Sequence, residues 1–214
     1  MWPPSTRHPE RAGELTISPA ELIASRLPDQ RAGGIGLLGI DGRSGAGKTR
    51  LADEVAQHLH TRGRGVTVLS MDELYAGWGG LADVGMVLCR DVMTAISSQH
   101  TPQVRRYDWH TEQFGPVTPL PVTDVLIVEG VGSTVHPCRE VFDVTVWVQA
   151  PRATRLARAH VRPDQGDYAA HAVTWERQEV TLFGPDRYPE PAAGYDIVID
   201  SSLGTWAITS RDAE

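Results

Sequence analysis

The segment "GIDGRSGAGKT", at positions 39–49, limits what this chain can fold into more than any other. The apolar run "IGLLGI" (35–40) leads into it, and after it Leu51, Val55 and Leu59 recur at i, i+4 and i+8. That is a buried strand handing over to an amphipathic helix through a glycine loop. Gly42, Gly47, Lys48 and Thr49 satisfy G-x-x-x-x-G-K-[ST] in the strand-loop-helix context the pattern requires. Glycines let backbone N–H groups turn inward around phosphate oxygens, and the helix N-terminus adds partial positive charge. The phosphate-binding set is therefore Gly42, Arg43, Ser44, Gly45, Ala46, Gly47, Lys48 and Thr49. Lys48 reaches the β- and γ-phosphates, and the Thr49 hydroxyl is placed to coordinate Mg²⁺. The loop reads as a cradle for a nucleoside triphosphate.

The rest of the chain alternates strand and helix signals. "SPAELIASRLP" (18–28) carries Ser18 as N-cap, Pro19 at the first helical position and Glu21 completing a capping box. Strands are expected at 66–70, 125–130, 141–150 and 195–200, and helices at 86–97, 152–162 and 171–183. This pattern predicts an α/β chain with the P-loop NTPase fold, three layers α/β/α around a central parallel sheet of about five strands. Residues 1–14 read as a flexible tail and 15–214 as a single P-loop kinase domain. The proline- and aromatic-rich region 101–123 interrupts the alternation and reads as an irregular, substrate-covering insertion.

Composition narrows the function classes. A net charge of -7 disfavours nucleic-acid binding, while leaving room for a local cationic pocket. No run approaches membrane-spanning length and no signal-peptide core opens the chain, so neither a membrane nor export is expected. Cys89 and Cys138 form no metal or CxxC spacing, so neither a zinc site nor a disulfide framework is expected, and a cytoplasmic location fits.

A phosphate loop does not distinguish switch, pump and kinase. Glu129, ending the strand "VLIVEG", is placed to hold Mg²⁺ or its water, or is a plain strand-end charge. Asp72, just past the second strand, is the base that accepts a proton from a substrate hydroxyl, a ligand to Mg²⁺ through water, or a helix N-cap. Arg152, Arg155, Arg158 and Arg162 crowd one short helix, the last three on one face. They form either a lid near 152–165 that closes on the transferring phosphoryl group or a solvated face. Asp41 supports the loop backbone or merely a turn.

In order, "IDGRSGAGKT", "SMDELY", "RRYDWH", "VLIVEG", "TRLARAHVR" and "YDIVID" resemble the uridine kinase family of P-loop kinases, in the wider group with phosphoribulokinase and pantothenate kinase. The resemblance runs over roughly 35–200. It implies Asp72 as general base with Tyr75 beside it, and Tyr107, Asp108 and Trp109 in a hairpin over the acceptor. It also implies Glu129 at the metal, Arg155, Arg158 and Arg162 in a lid, and adenine packing near "DSSLGTW" (200–206). The chain departs from the family where His110 directly follows Trp109 and where "AGWGGLADVG" replaces a longer ribose-contacting stretch; Asp83 is the stand-in there.

The combined expectation is an ATP- and Mg²⁺-dependent kinase with a small hydroxyl acceptor, a uridine- or cytidine-like nucleoside first. Asp72, Lys48, Arg158 and Arg162 would be catalytic. Thr49 and Glu129 would hold the metal, and Tyr75, Tyr107, Trp109, His110 and Asp83 would line the acceptor pocket. The alternatives are a sugar, a vitamin precursor or a nucleoside monophosphate as acceptor, or a non-catalytic ATP-binding regulatory module.

Overall fold

A computed structural model describes residues 17–28, 34–161, 168–189, 194–202, 204 and 206–210. The expected N-terminal tail and Arg162 lie outside them.

Five parallel strands form the centre: β1 (Gly36–Asp41), β2 (Val66–Ser70), β5 (Val125–Glu129), β6 (Val144–Gln149) and β7 (Ile197–Asp200). Their order is β2-β5-β1-β6-β7, and an antiparallel edge strand β8 (Ala207–Ser210) extends it. The aliphatic runs are explained by burial on both faces. In β5, Val125 and Ile127 join one core with Leu38, Ile40, Leu51 and Val55, while Leu126 and Val128 join the other with Leu69, Leu88 and Trp175.

The first core lies under α1 (Pro19–Arg26) and α2 (Lys48–His60); Leu51, Val55 and Leu59 are essentially fully buried. Ser18 Oγ caps α1 by accepting from Glu21 N at 3.1 Å. The second core lies under α6 (Tyr168–Phe183) and the helical stretch from α3 (Val84–Leu88) through a π-turn (Cys89–Met93) to α4 (Thr94–Ser97). A short α5 (Arg152–Ala159) follows β6.

Two expectations are corrected. Region 101–123 is not irregular: β3 (Gln103–Asp108) and β4 (Gln113–Pro119) pair as an antiparallel hairpin. Pro102 and Pro121 flank the strands, Pro119 ends β4 and Pro116 falls at the register shift, on a two-stranded sheet with open edges that tolerates them. Cys89 and Cys138 are joined in a disulfide despite standing 49 positions apart, because the π-turn packs beside the loop after β5. The cytoplasmic expectation loses that part of its support. No helix among the described residues is long and apolar enough to cross a membrane.

The register brings the chemistry to one edge. Ser70 pairs with Glu129 and Ile40 with Glu129, so β2, β5 and β1 end in a row, where ligands gather in open α/β sheets. Asp41, fully buried, anchors this edge. Its carboxylate accepts from Gly42 N (2.7 Å), Gly132 N (2.9 Å), Thr134 N (3.0 Å) and Thr134 Oγ1 (2.9 Å). Burial pushes its pKa up, and those hydrogen bonds oppose the shift. It ties the phosphate loop to the loop after β5, which settles its role as support. Asp41→Ala strands three buried amides, and we expect a loss of about 3 kcal/mol in a urea titration. A midpoint unchanged from wild type would contradict this account of Asp41.

Candidate active site

The loop 42–47 turns through three left-handed or extended-positive glycines, Gly42 (φ 142°), Gly45 (φ 74°) and Gly47 (φ 102°). At Gly45 the need is double, since a Cβ would also collide with the Arg155 carbonyl of α5. Lys48 is buried, and its Nζ donates to Gly42 O (2.8 Å) and Arg43 O (3.1 Å), bracing the loop around an inward space. Burial pulls its pKa down, while Glu129, Glu179, Asp41 and Asp72 pull it back toward the charged form. The Thr49 hydroxyl lies 3.3 Å from both Glu129 carboxylate oxygens, so the two expected metal residues meet.

Asp72 sits in a 3₁₀ turn (Met71–Glu73) directly after β2. The N-cap position of that turn is Ser70, so the capping reading of Asp72 falls away. A cleft of about 500 Å³ joins Asp72 to Lys48, Thr49, Glu129 and Arg158. The hairpin closes on it through Trp109, whose Nε1 donates to Asp72 O at 2.9 Å.

The expected acceptor residues separate in space. Tyr75 and Trp109 line the cleft. Tyr75 is fully buried, donates its hydroxyl to Val131 O (2.7 Å), and has its pKa pushed well up, first by burial. Tyr107 lies one layer behind, edge-on to Trp109 and Phe114 at 5.2 Å each. His110 does not reach the cleft: the Asp108 carboxylate binds His110 N (2.8 Å) and Thr111 N (3.2 Å), rolling the chain into an exposed turn. Asp83 occupies the exposed N-cap position of α3 and faces a different cavity, beside Arg90 and Arg105, because the buried side of α3 belongs to Val84 and Leu88.

The arginine helix is also rearranged relative to expectation. Arg155 is buried, donating to Ala150 O (3.1 Å), to Ser44 O (3.0 Å) and to Asp186, so it buttresses the loop from behind. Arg158 lines the cleft and is held by Ser201 Oγ (2.9 Å) and Ser201 O (2.8 Å). Arg152 pairs with Glu176 on α6. Arg155 and Arg158 therefore pack against the loop and Ser201, so their part of α5 is not a solvated face. Arg43 contributes its backbone, for its guanidinium is buried and donates to Gly184 O (2.8 Å).

Several residues were not singled out for the site in the sequence. Glu179, buried on α6, accepts from Ser44 N at 2.7 Å and fixes the loop from the opposite side to Asp41. Tyr168, Trp175 and Trp78 complete the cleft wall, and Trp175 is both core and wall. A signal existed for Glu179: it stands in register with Tyr168 and Trp175 on the apolar stripe of α6, and a lone carboxylate on such a stripe needs a buried partner.

A parallel sheet in this order, a phosphate loop after β1, and Glu129 and Asp72 at the ends of the next two strands define a P-loop kinase fold. Comparison with known proteins agrees. The chain is 28% identical over 182 residues to a protein of Staphylococcus haemolyticus (strain JCSC1435) named uridine kinase, spanning 76% of this chain and 86% of that one. The resemblance read from the motifs is thereby borne out. In fold it is similar to a D-glycerate 3-kinase from Cryptococcus neoformans var. grubii (TM-score 0.56, 12% identity, 89% of this chain and 97% of that one). It is likewise similar to a candidate fructose transport system kinase from Silicibacter sp. TM1040 (TM-score 0.50, 18% identity, 76% and 86%). No family model matches the chain.

Proposed function

We propose that this protein is an ATP- and Mg²⁺-dependent phosphotransferase that moves the γ-phosphoryl group to a hydroxyl of a small molecule. The observation that carries the proposal is the single cleft in which Asp72 faces Lys48, Thr49 and Glu129. A regulatory module needs the loop but has no use for a carboxylate across from it.

The residues fit the metal. Thr49 and Glu129 offer hard oxygens side by side, and among the described residues no group of three His, Cys, Asp or Glu side chains forms a closed cage. Magnesium favours such open sites, keeping water and substrate phosphate oxygens as its other ligands. When bound, it supplies charge neutralisation at the β- and γ-phosphates. Lys48 and the loop amides hold those phosphates. Asp72 orients the acceptor hydroxyl and takes its proton as the oxygen attacks phosphorus. Arg158 balances charge on the phosphates, and the aromatic wall excludes water. For the adenine, Trp206 stands beside Gly47 with the Arg50 guanidinium 4.5 Å over its ring, in the segment where the resemblance places it.

The similarity to a uridine kinase makes a uridine- or cytidine-like nucleoside one reading of the acceptor; the positions of His110 and Asp83 remove two contacts that reading would use. Following acceptor-dependent ADP release across a Mg²⁺ titration tests the proposal. Release should require the divalent ion, and Glu129→Gln should raise the half-saturating Mg²⁺ about tenfold. Release that is independent of Mg²⁺, or unchanged by Glu129→Gln, would remove Glu129 from the metal site.

A further inference from the structure

The acceptor end of the cleft carries chemistry of its own. Around Asp72 its wall is built from the rings of Tyr75, Trp78, Trp109, Tyr168 and Trp175. Trp78 stands in the middle, its ring centroid 4.9 Å from Trp109 and 6.0 Å from both Tyr168 and Trp175. Stacking on His171 (4.7 Å, 9° between planes) and a 2.7 Å bond from Gln178 Nε2 to the Trp78 carbonyl hold it there.

Two of these rings have their polar handles committed to backbone carbonyls. The Tyr75 hydroxyl is committed to Val131 O and the Trp109 Nε1 to Asp72 O. Trp175 Nε1 is buried, without a hydrogen-bond partner among the described residues. Such a wall offers chiefly π faces, with the Tyr75 and Trp109 donors already taken. A pyrimidine amide edge or a ring of sugar hydroxyls would find those two donors taken, and each polar group left unmet in a site is penalised.

Charge is divided along the cleft. The two cationic lining residues, Lys48 and Arg158, belong to the phosphate end, braced on the loop and on Ser201. At the ring-lined end the charged lining group among the described residues is the carboxylate of Asp72. Among the described residues an anionic acceptor finds no cation at that end. A positively charged one finds a carboxylate and aromatic faces, the combination that recognises ammonium groups.

We propose that the acceptor is a small amino alcohol, a hydroxyl on a short chain whose nitrogen carries a positive charge. This rests on the phosphotransferase reading and adds the class of its acceptor. The alcohol oxygen forms a bond to the γ-phosphorus as the bond to the β–γ bridging oxygen breaks. ADP leaves with that electron pair, the hydroxyl proton passes to Asp72, and the ammonium group is unchanged.

The test compares (2-hydroxyethyl)trimethylammonium, its uncharged isostere 3,3-dimethylbutan-1-ol, and uridine, each with the full chain and Mg-ATP, by ADP release and product mass. The ammonium alcohol should exceed both others at least tenfold in kcat/KM. Trp78→Leu should lower kcat/KM for the ammonium alcohol at least tenfold more than for the isostere, erasing most of that preference, and Trp78→Phe should keep it. Equal or faster turnover of the isostere or uridine overturns the amino-alcohol class and leaves the phosphotransferase reading standing. No turnover of the ammonium alcohol also overturns the class; the phosphotransferase reading is then judged by phosphoryl transfer to other hydroxyl compounds. Should Trp78→Leu not fold, tryptophan fluorescence of the wild-type chain titrated with tetramethylammonium decides instead. A saturable change supports the site, and none overturns it.

Discussion

Asp72→Asn lowers kcat about a thousand-fold and leaves ATP binding as it is in the wild-type chain. The magnitude is that of a general base removed from a proton transfer. The separation of effects follows from position: Asp72 lies past β2, across the cleft from the loop residues that would hold the triphosphate. Asparagine keeps the volume, and the Asp72 backbone carbonyl that receives Trp109 Nε1 is untouched, so the hairpin stays docked. A kcat within threefold of wild type would remove Asp72 as the base. A parallel loss of ATP affinity would instead place it among the nucleotide contacts.

Lys48→Ala is the second large effect, a fall of about a thousand-fold in kcat/KM for ATP, equivalent to roughly 4 kcal/mol of transition-state stabilisation. In the structure the ammonium already spans the loop through Gly42 O and Arg43 O, so it is pre-placed at the centre of the cradle. It is buried among four carboxylates that favour its charged form. The loop itself keeps its fastening at Asp41, Glu179 and Arg155, and we expect the melting temperature to change by only a few degrees. Isothermal titration with ATP and steady-state kinetics check both halves. Wild-type affinity and rate in a folded Lys48→Ala chain would contradict the assignment.

How much of this was legible in the sequence depends on whether the information was local. The phosphate loop was, because glycine spacing, a preceding aliphatic run and a following i, i+4 stripe lie within some 25 residues. The five parallel strands were, because burial on both faces leaves unbroken runs such as "VLIVE". The meeting of Thr49 and Glu129 followed from Thr49 opening the helix that comes after β1 and Glu129 ending β5, the strand beside it. The hairpin was implied by the resemblance and not by the residues alone, because its pairing strands are exposed and punctuated by proline, so no hydrophobic alternation marks them. His110 and Asp83 were misplaced because a one-residue step at a strand end or helix cap reverses which way a side chain faces, and motif order does not resolve that step. Arg155 and Arg158 look equivalent at i and i+3, yet one is buried behind the loop and the other lines the cleft. The Cys89–Cys138 link and the Glu179–Ser44 contact join segments 49 and 135 residues apart, and only packing reveals them.

The central claim is phosphoryl transfer from ATP to a hydroxyl, and it is tested most directly without choosing the acceptor in advance. The full chain would be incubated with Mg²⁺, γ-phosphate-labelled ATP and a pool of small metabolites, and the label followed by chromatography and mass. The account predicts label in a phosphorylated small molecule with the wild-type chain and none with Asp72→Asn or Lys48→Ala. Label that stays in ATP, or that appears only as inorganic phosphate, would contradict it.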